Sequence, residues 1–192
     1  MEVKDGGILI LSGPRTGSTN LMKSLGSYYN KKTCMEYDLI RKYPHFDSSK
    51  DVLKYVPLRE SNYDKILNTE TYKDILNKAK EFKTIILLDR KNKKEQLESY
   101  YVLKKYQKGN VSVKWRDEEI NKTDTKYKQW KSYINSFTEL FKMISKDLKL
   151  PIDFYEDVYK NNSLTNKNIK LDLEYFKPNY KLRQEIKPKR LV

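Results

Sequence analysis

GILILSGPRTGSTNL, residues Gly7–Leu21, is the stretch on which the fold turns. Gly7–Ser12 is a short, unbroken apolar run, the pattern of a strand buried on both faces of a parallel sheet. It stops at Gly13-Pro14-Arg15-Thr16-Gly17, a turn sequence. A helix is predicted from Ser18 to Tyr29, with Leu21, Met22 and Leu25 on one face and Ser18 or Thr19 at its start. Strand, glycine-bounded turn and helix together suit an anion. Glycines let the backbone come close to a ligand. The first helical N–H groups have no partner within the helix, and the helix dipole adds favourable potential. Arg15 offers a planar, permanently charged fork to phosphate or sulfate oxygens. The plainer reading is a Gly-Pro turn with a Ser/Thr helix cap.

Outward from this stretch, TIILLD at Thr84–Asp89 reads as a second core strand and Lys93–Lys108 as the helix after it. Glu70–Phe82 has apolar residues at 72, 75, 76, 79 and 82, a helical spacing. Lys126–Lys149 carries the strongest periodicity. Tyr127, Trp130, Ile134, Phe137, Phe141, Ile144 and Leu148 form one stripe, read as core packing. Pro151–Tyr155 is a third strand candidate. Asn30–Tyr63 is read partly as loop, Gly109–Thr125 as an irregular excursion. Strands alternating with helices predict a single α/β domain over residues 1–192, a parallel sheet flanked by helices. Ligands in such folds sit at the carboxyl ends of the strands, here after Ser12 and after Leu88.

The chain of 192 residues is long enough to bury a real core. Its net charge of +14 favours anionic partners without choosing among them, and its richness in lysine is also what an AT-rich genome would produce. The tail from Lys160 to Val192 is basic and has weak periodicity. One cysteine, Cys34, excludes an internal disulfide framework, and with a single histidine it leaves little from which to build a zinc site. No apolar run approaches a membrane span and the start does not read as a secretory signal, so a cytoplasmic location, in the producing or a host cell, is expected.

The turn is not a Walker A loop. Only three residues separate Gly13 from Gly17, and the lysine is missing. GPRTGSTNL instead resembles the 5′-phosphosulfate loop of sulfotransferases that use 3′-phosphoadenosine 5′-phosphosulfate (PAPS). The form R-[ST]-G-[ST]-[ST]-x-L is similar to that of carbohydrate sulfotransferases and of the bacterial trehalose sulfotransferase group. The resemblance implies a P-loop NTPase-like sulfotransferase fold. It implies that Arg15, Thr16, Gly17, Ser18, Thr19 and Asn20 bind the 5′-phosphosulfate. Further along, Arg90-x-Asn92-x(6)-Ser99 resembles the family's strand-end Arg and following Ser, which implies that Arg90 and Ser99 bind the 3′-phosphate. Tyr155-Glu156-Asp157 resembles a Y-E-D at the end of a later strand, with Tyr155 approaching the nucleotide. By the same resemblance the basic segment 160–192, with Lys181, Arg183, Lys187, Lys189 and Arg190, covers the nucleotide; the plainer reading is a solvated tail. The aromatic residue that follows this loop in cytosolic relatives is missing here.

Sulfuryl transfer to an acceptor hydroxyl needs a cation on the departing oxygen, a role that suits Arg15, and a general base. Glu36 matches the position of the catalytic glutamate in the trehalose sulfotransferase group, and His45, the only histidine, titrates near neutrality. Glu60 is a third carboxylate without a positional case. Arg59, Tyr37, Tyr43 and Trp115 are candidates to line an acceptor site for a sugar, a small molecule or a tyrosine. No metal is called for. Three other readings stay open: a kinase-like phosphotransferase, with Asp89 as a magnesium ligand; a nonenzymatic binder of nucleic acid or another anion, although no nucleic-acid module is recognised; and a fold that keeps the cofactor site without catalysis.

Overall fold

A computed structural model describes residues 6–35, 47–58, 69–106 and 120–174. The run Ile8–Ser12 (β1) is a strand buried along its whole length, as its unbroken apolar pattern requires. It is followed by α1 (Ser18–Tyr29), β2 (Thr33–Met35), β3 (Val52–Tyr55), α2 (Thr69–Lys80), β4 (Thr84–Asp89), α3 (Lys93–Tyr106), α4 (Thr125–Leu148), β5 (Ile152–Phe154) and α5 (Tyr155–Asn161). The strands form one parallel sheet in the order β2-β3-β1-β4-β5. β1 is central, hydrogen-bonded to β3 on one side and to β4 on the other.

Alternation along the strands sends side chains to two cores. Ile8, Ile10, Val52, Ile86 and Leu88 face α1 and α5, meeting Leu21, Leu25, Val158 and Tyr159. Leu9, Leu11, Leu53 and Leu87 face α2, α3 and α4. The stripe on α4 is core: Phe137 and Phe141 are fully buried, each a contribution of about 1.5–3 kcal/mol. α4 grips α3 through an aromatic ladder. Tyr100 and Tyr101 each meet Trp130 edge-on, with centroids 5.8 and 5.6 Å apart, and Tyr101 also meets Tyr127 at 5.7 Å. This fixes the rotation of α3 and so decides which of its residues face the carboxyl edge of the sheet.

Two strands lie inside the region read partly as loop: β2 and β3 occupy 33–35 and 52–55. The strand expected over Pro151–Tyr155 ends at Phe154, because Tyr155 already opens α5. After α5 the chain crosses α1, burying Leu164, Ile169 and Leu171, while Ser24 Oγ donates to the Asp172 carbonyl at 2.9 Å. Among the described residues no helix is long and apolar enough to cross a membrane.

Candidate functional site

The chain moves from β1 to β2 on one side of the sheet and from β3 to β4 on the other, so progress reverses between β1 and β3. At the carboxyl ends of those strands lies a cavity of about 470 Å³, within the rough range of small-molecule sites. Its floor is the turn Gly13–Gly17 with the first residues of α1. Arg90 and Ser99 stand on one side, Lys54 and Val56 from the end of β3 on another, and Tyr155 and Tyr159 from α5 close it.

The turn is held by local chemistry. Thr16 Oγ1 donates to the Gly13 carbonyl at 3.0 Å. Gly17 takes φ +75°, and a Cβ there would lie 2.5 Å from Cε2 of Tyr155, so both the backbone and the space demand glycine. Arg15 also has a positive φ, 58°, in the left-handed region that costs an L-residue about 1–2 kcal/mol. Asn30, Lys149 and Asn162 take similar angles, but as helix C-caps. Gly17 is the N-cap of α1, no side chain caps the helix, and no acidic residue stands in its first turn. The opening N–H groups and the positive end of the dipole therefore face the cavity uncompensated.

Residues far apart in sequence lock this turn in place. Arg15 Nε donates to Ser99 Oγ at 2.9 Å. Gln96, fully buried one turn before Ser99 on α3, donates from Nε2 to the Pro14 carbonyl at 2.7 Å. Arg90, 4% exposed, donates from Nη1 to the Arg15 carbonyl at 3.2 Å. Its Nη2 pairs with Glu95 at 2.9 Å, and its guanidinium lies 4.9 Å from the Tyr155 ring centroid. Arg90 is thus a buried hub with the glycine turn on one side and two carboxylates on the other. The second carboxylate, Glu156, stands 3.5 Å from Arg90 Nε and accepts the N–H groups of Lys91 and Asn92 at 2.9 and 3.0 Å. Asn92 begins α3 by accepting the Glu95 N–H at 3.0 Å.

Three buried side-chain atoms among the described residues have no hydrogen-bond partner: Ser12 Oγ, Arg90 Nε and Gln96 Oε1. All belong to the residues that carry or brace the turn. Buried polar groups left this way are rare, and here they gather at one place.

Of the residues expected from sequence, Arg15, Thr16, Gly17, Ser18, Thr19, Asn20, Arg90, Ser99 and Tyr155 all line this cavity. Glu36 and His45 lie outside the described residues, as do Tyr37, Tyr43, Arg59, Glu60, Trp115 and the cations 181–190 of the C-terminal segment. Asp89 does not line the cavity. It is 1% exposed, pairs with Lys93 and accepts a hydrogen bond from Thr138 at 3.2 Å. Among the described residues no three metal-ligating side chains cluster. Sequence reading passed over Lys54, Gln96 and Tyr159, and named Glu156 only as part of the Tyr155-Glu156-Asp157 match. A helical signal existed for Gln96, which stands three residues before Ser99 and so shares its face. Compared with known proteins, the chain matches no family model, no curated protein and no solved structure.

Proposed function

We propose that this chain is a sulfotransferase of P-loop type, moving a sulfuryl group from PAPS to an acceptor hydroxyl. One observation carries the reading. Arg15, Arg90, Ser99 and Tyr155, up to 140 positions apart and each named from the family resemblance, stand around a single cavity with the glycine turn. Arg15 and Ser99 are in direct contact.

The residues present fit a doubly anionic nucleotide. The α1 amides have neither a side-chain cap nor an acidic residue in the first turn, and the buried Ser12 Oγ at the start of the turn has no hydrogen-bond partner. Arg15, the amides at the start of α1, and the Ser18 and Thr19 hydroxyls would hold the 5′-phosphosulfate. Arg90 and Ser99 would hold the 3′-phosphate, and Tyr155 with Tyr159 offers an aromatic wall, their rings 4.3 Å apart. PAPS supplies an activated sulfuryl group: a bond forms from the acceptor oxygen to sulfur, the bond from sulfur to the bridging phosphate oxygen breaks, and the acceptor proton passes to a base. This chain's part is to neutralise the departing oxygen. Arg15 and the start of α1, both held at the cavity by the fold, would do so with little reorganisation. Lys54, at the end of β3, adds a second cation on the opposite wall. Glu36 and His45 remain the proposed bases. A kinase-like reading is less well supported, because Asp89 is engaged by Lys93 and Thr138 and no lysine ends the turn.

The test is calorimetric titration of PAP, the desulfonated nucleotide, into wild type, Arg15→Ala and Ser99→Ala. Arg90→Ala would strand two carboxylates and confound folding with binding. Arg90→Lys keeps the charge while losing the fork. Micromolar wild-type binding, weakened by about 1.5–3 kcal/mol in Arg15→Ala, is expected for a charged hydrogen bond. Folded wild-type protein that does not bind PAP ends the proposal.

A further inference from the structure

A second basic feature lies elsewhere on the molecule and shares no residue with the first cavity. Where the amino-terminal turns of α3 and α4 meet, a groove of about 410 Å³ is rimmed by Lys93, Lys94, Lys122, Lys128 and Lys131. Its floor is apolar: Leu97, Tyr127 and Ile134 are all buried. α3 shows Ser99 and Leu103 to the first cavity but Lys93, Lys94 and Leu97 to this groove, so the two open on different faces of one helix.

Lys93 is paired with Asp89. Lys94, Lys122, Lys128 and Lys131 are exposed and make no ion pair among the described residues. Among the described residues no carboxylate lines the groove. The nearby acids are engaged or set back. Asp124 caps α4 by accepting the Lys126 N–H and is reached by the Tyr101 hydroxyl, and Glu98 acts on the Tyr127 phenol, whose proton is held mainly by burial. The lysines also stand where a helix least favours them. Cations belong at helix C-termini, yet Lys93 and Lys94 open α3 beside Glu95, and α4 follows its Asp124 cap with no acidic residue in its first turn. Four exposed lysines without an ion pair among the described residues thus gather over an apolar floor, a surface complementary to a ligand that carries both carboxylates and aliphatic groups.

We propose that this groove binds an acidic polypeptide segment that also carries aliphatic side chains. Its carboxylates would meet the four lysines, and an aliphatic side chain would cover Leu97 and Ile134. A single-stranded nucleic acid fits less well. Grooves that hold one offer exposed aromatic faces for base stacking, whereas Tyr127 is 7% exposed and Trp130 behind it 9%. The proposal is independent of the PAPS reading.

The probe is a short fluorescein-labelled peptide alternating Glu or Asp with Leu, followed by anisotropy. The triple variant Lys94→Glu, Lys128→Glu, Lys131→Glu is compared with Lys23→Glu, Lys73→Glu, Lys160→Glu, which changes net charge equally at exposed sites elsewhere. Binding weakened on the order of tenfold or more by the groove triple, and less than about twofold by the control, is expected. A peptide with Ser in place of Leu should also bind more weakly. If the groove triple does not fold, the same three positions changed to Gln carry the test. No binding by wild type, equal loss in both triples, or equal binding of the Ser peptide would overturn the proposal. So would an oligothymidylate that binds more tightly than the peptide with the same dependence on these lysines.

Discussion

Gly17→Ala, taken through a double-mutant cycle with Tyr155→Ala, probes whether the turn is clamped by α5. Two costs are built into the position. Alanine at φ +75° loses about 1–2 kcal/mol of backbone energy. Its Cβ would also lie 2.5 and 2.6 Å from the edge of the Tyr155 ring and 3.1 Å from the Tyr159 hydroxyl. The ring stacks on Tyr159 and lies beside the Arg90 guanidinium, so moving it costs about a further 1–3 kcal/mol, as overpacking does. The single variant should therefore lose about 2–5 kcal/mol in equilibrium urea unfolding. With Tyr155 already cut to alanine only the backbone cost remains, and Gly17→Ala should then lose about 1–2 kcal/mol. The difference between the two losses measures the clamp. Equal losses in both backgrounds would refute the steric reasoning, and a loss below about 0.5 kcal/mol in wild type would refute the backbone reasoning as well.

Gln96→Leu removes the bond to the Pro14 carbonyl but also a buried, unpartnered Oε1, so stability should change by no more than about 1.5 kcal/mol while PAP affinity falls. A stability loss with unchanged affinity would show that Gln96 does not position the turn. Tyr72 donates to Asp147 at 2.7 Å, and burial together with that carboxylate pushes its phenol well above the ordinary value. The folded state holds this proton more tightly than the unfolded chain. Its contribution is therefore complete below about pH 10 and is lost as pH rises past that value. Thermal unfolding curves should place wild type above Tyr72→Phe by at most about 1 kcal/mol near neutrality, with the gap closing in alkali. Curves that stay parallel would sink this reading.

How much of this was legible from sequence depended on whether a segment's neighbours are all apolar. β1 and β4 are buried along most of their length, and α4 packs a full stripe, so pattern alone identifies them. β2 buries only Cys34 between two exposed residues at the sheet edge, and β3 carries Lys54 into the cavity, so neither presents an apolar run. α5 is short and buries only Val158 and Tyr159, too few to set a period. Arg15, Arg90, Ser99 and Tyr155 were singled out by the motifs that carry the family resemblance, and the fold brings them around one cavity because they sit at strand ends or on the helices that follow. Lys54 and Gln96 act through cavity shape or a backbone carbonyl, for which a sequence has no fixed spelling, and the motif that contains Glu156 does not tell that its carboxylate holds the Lys91 and Asn92 N–H groups.

The order in which the cavity's walls are synthesised has a consequence for the newborn chain. The turn at 13–17 is made some 140 residues before Tyr155 and Tyr159, which close over Gly17. β5, which leads directly into α5, adds to the outer edge of β4. A ribosome-bound chain can thus lay down β1 and α1 early, but its turn stands unbraced until α5 emerges. Contacts of such long sequence separation form late, at a high closure cost. The braced turn should therefore arrive abruptly once α5 has emerged, and chains truncated before α5 should be the ones that proteases find with an open turn.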